Sequence, residues 1–202
     1  AALLCSRLCH DLISPVGAIS NGIEILSDED DEAMKLEVIK LLESSAGQTS
    51  NRLKFYRLAF GAAGGIGAQV PIRDAKNAAI SLFDGAPINL IWTSEIGELD
   101  KNAIKLLLNM ILVTSESLIR GGDLMVNIVV KGDKIHLEVT ARADRVIFQD
   151  KTREMICGEA EEMEMDPKIA PAYLAANVAK QFSSKIEHVF HNENSFTLNI
   201  SM

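Results

Sequence analysis

The chain has 202 residues, of which 48% are hydrophobic and 24% charged, so it can bury an ordinary core as one large domain or two small ones. Its formal net charge is −8 at pH 7 and its basic residues form no cluster, which argues against direct binding of nucleic acid. We expect a cytoplasmic protein without a membrane span, because no apolar run approaches the roughly 20 residues that cross a bilayer.

The first 26 residues carry an apolar repeat that predicts a long helix packed against other helices. Successive members are separated alternately by four and three residues, which is the period of a coiled-coil seam. The seam consists of Cys5, Cys9, Leu12, Val16, Ile19, Ile23 and Leu26. The opposite face has no large apolar residue, and we expect it to face solvent. It consists of Arg7, His10, Ser14, Gly17, Asn21 and Glu24.

Cys5 and Cys9 precede His10 in a CxxxCH pattern that could suggest a metal or haem site. No second group of ligands follows, and three cysteines do not make a disulfide framework. Ordinary buried thiols are therefore favoured over a metal site, since free cysteine is among the most buried residue types.

An acidic turn and a second helix follow. Residues 27–31, SDEDD, offer N-cap side chains and negative charge at the start of a helix. A second apolar stripe then predicts a helix from residue 32 to about 60, and residues 1–62 form an antiparallel helical hairpin. Two helices cannot enclose a lengthwise seam, so we expect two hairpins to form a four-helix bundle, that is, a homodimer. The second stripe consists of Met34, Val38, Leu41, Leu42, Ala46, Leu53, Tyr56 and Phe60.

Pro15 lies inside the first helix, where it lacks the amide hydrogen that the carbonyl of Asp11 would accept. We expect the helix to bend or loosen there, beside His10. A neutral imidazole in solvent is a nucleophile that can attack phosphorus. Asp11 could hold the ring tautomer or accept a proton, although it lies about 100° away around the helix. Arg7 and Ser14 flank His10 and could contact a phosphoryl group or an incoming protein.

The stretch CHDLISPVGAISNGIEIL resembles the H-box of the dimerisation and phosphoacceptor domain of bacterial sensor histidine kinases. His10, Asp11 and Pro15 match its histidine, acid and proline. The resemblance implies a phosphohistidine at His10. From helical geometry, we expect a partner to dock on the first-helix surface below His10 and on the facing part of the second helix. These docking residues are Ser14, Gly17, Asn21, Glu24, Arg52 and Tyr56.

Residues 61–70, GAAGGIGAQV, indicate a linker, since a nucleotide-binding loop would need a preceding strand. The patterns beyond it predict helices at 71–83, 99–119 and 170–182 and strands at 88–95, 124–131, 135–141, 185–190 and 195–201. Residues 71–202 are therefore predicted to form a two-layer α/β sandwich, and the whole chain an α+β fold. A segment rich in methionine and glutamate interrupts it, and we expect that segment to be mobile. It contains Met155, Glu159, Glu161, Glu162, Met163, Glu164 and Met165.

The order of these elements resembles the ATP-binding domain of the same kinases, but residues that such a domain uses are missing. Asn109 matches the first asparagine of the N-box, whereas the asparagine that would hold Mg²⁺ falls on Val113. Ala141 and Ala143 replace the aspartate and first glycine of the box that reads adenine. A triphosphate needs Mg²⁺, glycine amides or basic side chains to offset its charge. We therefore expect a degenerate ATPase-like domain that binds no ATP and no other cofactor.

A phosphoacceptor histidine beside a domain without ATP predicts a phosphotransferase that moves phosphoryl groups between the aspartates of receiver domains. The chain is identified as a member of the histidine phosphotransferases of alphaproteobacterial cell-cycle phosphorelays. That resemblance implies a hybrid kinase receiver of the CckA type as donor, response regulators of the CtrA and CpdR types as acceptors, and Mg²⁺ held by the receiver. Two alternatives stay open: a divergent ATP-dependent histidine kinase, and a non-catalytic dimeric scaffold that binds response regulators.

Overall fold

The computed structural model describes residues 2–61, 69–160 and 166–202. Helix α1 (Ala2–Asp28) and helix α2 (Glu32–Ala59) form an antiparallel hairpin, which confirms the predicted helical N-terminal part. Asp31 caps α2, because its carboxylate accepts hydrogen bonds from the amides of Ala33 and Met34. The predicted linker lies mostly outside the described residues, as does the predicted domain boundary at residue 62.

Small residues bring α1 against α2. Pro15 and Gly22 are buried, and a Cβ added to Gly22 would lie 2.7 Å from Cδ2 of Leu42. One chain covers the predicted seam only in part, since Val16 and Ile23 are 48% and 55% exposed. Cys5 and Cys9 are exposed as well, so the expectation that their thiols are buried is wrong within one chain. The α2 side of the hairpin likewise leaves large apolar side chains in solvent, among them Met34, Leu41 and Leu53. The hairpin of a single chain therefore has an apolar face that this chain does not cover.

Helix α1 is, among the described residues, the one helix whose length and composition would allow it to cross a membrane. This is weak evidence for a span, because α1 packs along α2 and carries Arg7, Asp11 and Glu24. A helix that packs in a bundle can be equally long and apolar.

A mixed helix and sheet unit follows the hairpin, as predicted. Its main sheet has five strands in the order β2-β4-β5-β7-β6, with β2 parallel to β4 and the other neighbours antiparallel. A second, two-stranded sheet pairs β1 with β3. The short 3-10 helix Pro167–Ile169 precedes α6. The elements are β1 (Gln69–Pro71), α3 (Ile72–Leu82), β2 (Ile88–Ser94), β3 (Glu98–Asp100), α4 (Lys101–Ser115), β4 (Gly122–Lys131), β5 (Lys134–Arg142), α5 (Asp150–Cys157), α6 (Ala170–Gln181), β6 (Glu187–Asn192) and β7 (Ser195–Ser201).

Helix α4 runs through the core of this unit. All its residues from Leu106 to Ser115 are buried, because the sheet covers one side while α2, α3 and α6 pack on the others. The alternating residues of β4, β5 and β7 that face the helices are buried in the same way. This packing fixes the end of α4, which lies close to the hairpin.

Helix α5 was not predicted. Met155, Ile156 and Cys157 are buried on it, so the expectation of a mobile segment is wrong at Met155. A helix of this length gives too few turns for an apolar period to be recognised in the sequence. Glu159 of that segment is exposed, and its residues 161–165, with Met163 and Met165, lie outside the described residues.

Candidate functional site

The imidazole of His10 lies on the outer side of α1, as predicted, with 65% of its side chain exposed. Its Nδ1 is 3.0 Å from Oδ1 of Asp11. An ionised carboxylate only accepts hydrogen bonds, so Nδ1 carries the hydrogen and donates it to Asp11. The Nε2 atom is then the ring nitrogen with a free lone pair.

Asp11 is fixed by a network that reaches well beyond α1. Its Oδ2 accepts hydrogen bonds from the hydroxyl of Tyr56 and from Nε of Arg7, the latter at 2.7 Å. Burial alone would raise the pKa of Asp11, but the hydrogen bonds from Tyr56, His10 and Arg7 and the positive charge of Arg7 hold it below its ordinary value of 3.8. Asp11 is therefore ionised at neutral pH and aligned with the His10 ring.

Pro15 and Arg52 act together on the backbone of Asp11. Pro15 has no amide hydrogen, which leaves the carbonyl of Asp11 without its partner in the helix. A guanidinium nitrogen of Arg52 donates a hydrogen bond to that carbonyl. Because of the proline, the carbonyl of Asp11 is free to accept this hydrogen bond, which joins α2 to α1 beside His10. Helix α1 is continuous through Pro15, and the predicted bend stays a prediction.

Tyr56 and Arg7 are buried, so the prediction that they lie on a docking surface is wrong. Tyr56 is 5% exposed and stacks on Phe60 with ring centroids 4.8 Å apart. Burial and the negative charge of Asp11 raise the pKa of its hydroxyl, which keeps it protonated as a donor. Arg7 is 8% exposed, because α1 turns it towards α4 and away from solvent. Helical spacing placed it with His10 but could not show that a second unit covers that side.

Arg7 also contacts Glu116, the residue that ends α4. Its Nη2 is 2.6 Å from Oε1 of Glu116, and its Nη1 donates to the carbonyl of Lys168 at 3.3 Å. Burial would lower the pKa of Arg7, but the charges of Glu116 and Asp11 raise it. Partial burial and the nearby Asp11 raise the pKa of Glu116, and Arg7 opposes this shift. This contact was not predicted, because Glu116 lies 109 residues from Arg7 along the chain.

Of the other predicted docking residues, Arg52 lies half-buried on α2, where it bonds to the carbonyl of Asp11, and the remaining four lie on the surface of α1. Ser14, Asn21 and Glu24 are exposed, and Gly17 has no atom within 4 Å of the position a Cβ would take. The most exposed large apolar residue near His10 is Ile13, at 70%, which the sequence analysis did not select. The surface below His10 is therefore smooth at Gly17 and open to a partner.

Three positions that resemble those of a kinase ATP site, Asn109, Val113 and Ala141, are buried in the core. Val113 and Ala141 are buried in the core, at 1% and 0% exposure. Asn109 is fully buried, and its amide donates to the carbonyls of Ala59 at 2.8 Å and Lys105 at 2.7 Å, so it holds the end of α2 against α4. The side chains of Val113 and Ala141 carry no oxygen atom, whereas the Oδ1 atom of Asn109 is buried without a hydrogen-bond partner.

A cavity of about 590 Å³ remains near this region. Its described lining includes two acids and two lysines, whose formal charges cancel. They are Glu116, Asp166, Lys151 and Lys168.

Comparison with known proteins gives one consistent result. Residues 72–194 match the sequence profile of the family described as histidine phosphotransferase C-terminal domain. The chain is 38% identical over 187 residues to the protein phosphotransferase ChpT of Brucella abortus (strain 2308), covering 92% of this chain and 87% of that protein.

Solved structures agree with this result. A structure described as a bacterial phosphotransferase superposes with a TM-score of 0.86 at 33% identity, covering 98% of this chain and 94% of the other. The histidine kinase domain of a blue-light activated kinase from Erythrobacter litoralis superposes with a TM-score of 0.52 at 11% identity, covering 93% and 95% of the two chains. The second likeness concerns the fold alone.

Proposed function

This chain belongs to the histidine phosphotransferase family, and we propose that it carries phosphoryl groups between the aspartates of receiver domains through a phosphohistidine at His10. The observation that carries the proposal is the exposed His10 ring, whose Nδ1 is held by an ionised, buried Asp11. This arrangement leaves Nε2 with a free lone pair on a largely exposed ring. A nucleophile in such a position can reach the active site of a second protein.

The transfer is a displacement at phosphorus. The lone pair of Nε2 attacks the acyl phosphate of the donor, a P–N bond forms as the P–O bond to the aspartate breaks, and the aspartate leaves as a carboxylate. The ring then bears the positive charge of an N-phosphorylated imidazole that keeps its Nδ1 hydrogen. Asp11 stabilises this charge by accepting that hydrogen bond at 3.0 Å. The reverse displacement onto a second aspartate regenerates His10, so no net proton transfer is required.

Receiver docking is proposed for the exposed part of α1 below His10, formed by Ser14, Gly17, Asn21 and Glu24. A substitution of Glu24 by lysine reverses a charge there without touching the network around Asp11. We expect it to raise the receiver concentration that gives half-maximal transfer by roughly tenfold, with little change in the rate at saturation. Unchanged half-saturation would remove Glu24 from the docking surface.

A homodimer is proposed from the apolar face of the hairpin. Val16, Ile23, Met34, Leu41 and Leu53 are each between 45% and 55% exposed in a single chain. An exposed apolar stripe of this kind along two helices is typical of a surface that a second hairpin covers. The proposed unit is thus a four-helix bundle with two copies of His10.

The proposed transfer does not use ATP. Val113 and Ala141 are buried apolar residues where a kinase would place polar groups on Mg²⁺ and adenine, so the residues present do not fit the nucleotide. The chemistry of the proposal needs Mg²⁺ only on the receiver, where it offsets the charge of the phosphoryl group. By the relation to ChpT, we propose a hybrid kinase receiver of the CckA type as donor and regulators of the CtrA and CpdR types as acceptors.

The test is to mix the full chain with a receiver domain labelled on its aspartate and with Mg²⁺. We expect acid-labile label on this chain, none on His10→Gln, and ordinary labelling of His191→Gln, a second surface histidine that lies on β6. Label on the His10→Gln variant would contradict the proposal. Label taken from ATP without any receiver would favour a kinase, and receiver binding without label would favour a scaffold.

A further inference from the structure

Arg7 joins the phosphoacceptor site to the ATPase-like unit. Its guanidinium lies between two carboxylates, with Nε 2.7 Å from Asp11 and Nη2 2.6 Å from Glu116. Its side chain is only 10% exposed, so these two acids and the carbonyl of Lys168 replace most of its contact with water. Removal of the Glu116 charge therefore changes the hydrogen bonding and the electrostatic environment of Arg7.

The backbone of Glu116 is anchored at the end of α4. It follows the last residue of α4, and its amide hydrogen-bonds to the carbonyl of Leu112. Its neighbours Ser115 and Ser117 are buried and fix the local backbone through hydrogen bonds to carbonyls of the same turn. The core of the ATPase-like unit thus fixes the backbone position from which this carboxylate reaches Arg7.

We infer that Glu116 is a positioning residue for phosphotransfer, which acts through Arg7 to keep Asp11 aligned with His10. This inference rests on the proposed function of His10. It gives the ATPase-like unit a part in the reaction that requires no nucleotide. The unit supplies a fixed anion on the far side of Arg7, and the hairpin supplies the nucleophile.

The physical reason is that two carboxylates, those of Asp11 and Glu116, share the hydrogen bonds of the Arg7 guanidinium. With both acids present, Arg7 is shared, and Asp11 keeps enough negative charge to accept the Nδ1 hydrogen of His10. Without the anion at Glu116, the buried guanidinium has Asp11 as its remaining carboxylate and draws it away from the ring. The positive charge that develops on the imidazole is then less stabilised, so transfer slows.

The first measurement is the rate of single-turnover transfer from a labelled receiver at several receiver concentrations. We expect Glu116→Gln to lower the saturating rate by about tenfold and to leave the half-saturating concentration unchanged, because Glu116 lies outside the docking surface. Glu116→Asp retains the charge and should recover part of the rate. The matched control is Asp123→Asn, which breaks the 2.7 Å ion pair between β4 and β5 and should transfer at the normal rate.

The second measurement asks whether Glu116 acts through Arg7. In an Arg7→Met background, Glu116→Gln should add no further loss, since its partner is already absent. Nitrogen NMR of the His10 ring should show a smaller fraction of the Nδ1–H tautomer in Glu116→Gln than in the unmodified chain, while Asp123→Asn should show no such change.

The outcomes separate the inference from the proposed function. A normal transfer rate in Glu116→Gln, or an equal loss in the Arg7→Met background, would overturn the inference while His10→Gln stays unlabelled. Labelling of His10→Gln would overturn the proposed function and the inference with it. A slower Glu116→Gln whose defect disappears in the Arg7→Met background would support both.

Discussion

The two parts of this chain treat their apolar residues in opposite ways. In the ATPase-like unit, α4 is buried on all sides from Leu106 to Ser115, and the strands beneath it alternate regularly. In the hairpin, α1 buries only Arg7, Pro15 and Gly22. The ATPase-like unit therefore completes its core within one chain, whereas the hairpin leaves large apolar side chains exposed. The pattern of a sequence shows where apolar faces are, but not whether the same chain covers them.

The largest effect should come from the core of the ATPase-like unit. Leu107→Ala removes a fully buried side chain from α4 and should lower the free energy of unfolding by about 2–5 kcal/mol, because a cavity remains. Urea unfolding measures this. The oligomeric state of the Leu107→Ala variant, measured as its molar mass in solution, should not change. A loss below about 1 kcal/mol would show that this unit is not the self-sufficient half of the comparison.

A substitution on the exposed apolar face of the hairpin should change self-association rather than the stability of a core. Ile23→Glu places a charge on the exposed apolar face, twice in a symmetric dimer, and should weaken self-association by about 100-fold or roughly 2.7 kcal/mol. Sedimentation over a range of concentrations detects this. Ile119→Glu is the control, since Ile119 is 69% exposed on the other unit. Equal masses for the Ile23→Glu and unmodified chains would place the dimer contact elsewhere.

The boundary between the two parts can be tested by pH. Asp11→Asn should lower the free energy of unfolding at pH 7 by about 1–3 kcal/mol, because it removes a charge-assisted acceptor for Arg7 and Tyr56. The folded-state pKa of Asp11 is below its ordinary 3.8, so this stabilisation is complete above pH 3.8 and is lost as the pH falls below it.

The measurement is urea unfolding of both chains between pH 7 and pH 3. The difference between them should shrink towards the acid end. Asp133→Asn, in the turn between β4 and β5, serves as the control and should show no such trend. A difference that stays constant over this range would mean that Asp11 is not held by charge.

The smallest effect distinguishes two glycines of α1. Gly17→Ala meets no atom within 4 Å and should stabilise the helix by about 0.5–1 kcal/mol. Gly22→Ala should lose that gain, because its Cβ would lie 2.7 Å from Leu42 and force that side chain to shift. Thermal unfolding of the two variants should therefore differ by roughly 1 kcal/mol. Equal stabilities would mean that α1 and α2 do not approach closely at Gly22.

Much of the fold could be predicted from the sequence, since period and turn residues are local signals. Strand β7 spans Ser195–Ser201 as predicted, and α6 differs from its prediction by one residue at its end. The short strands β1 and β3 and the helix α5 were missed, because they are too short to show a period. The seam of α1 was recognised, but its partner helix could not be identified from one chain.

The candidate site was predicted in part. The exposure of His10 follows from its position opposite the apolar seam, and the structure confirms it. The roles of Arg7, Tyr56 and Glu116 could not be deduced, since each depends on contacts between residues far apart in the chain. Helical spacing identifies the residues that share a face, but a second unit packed on that face changes their environment.

The pairing of Pro15 with Arg52 has an evolutionary consequence. An alanine at position 15 would restore the amide hydrogen, which would compete with the Arg52 guanidinium for the carbonyl of Asp11. Arginine at position 52 would then lose its anchor, and selection for it would relax. In related chains, substitutions at positions 15 and 52 should therefore occur together. A chain without proline at position 15 should also lack arginine at position 52.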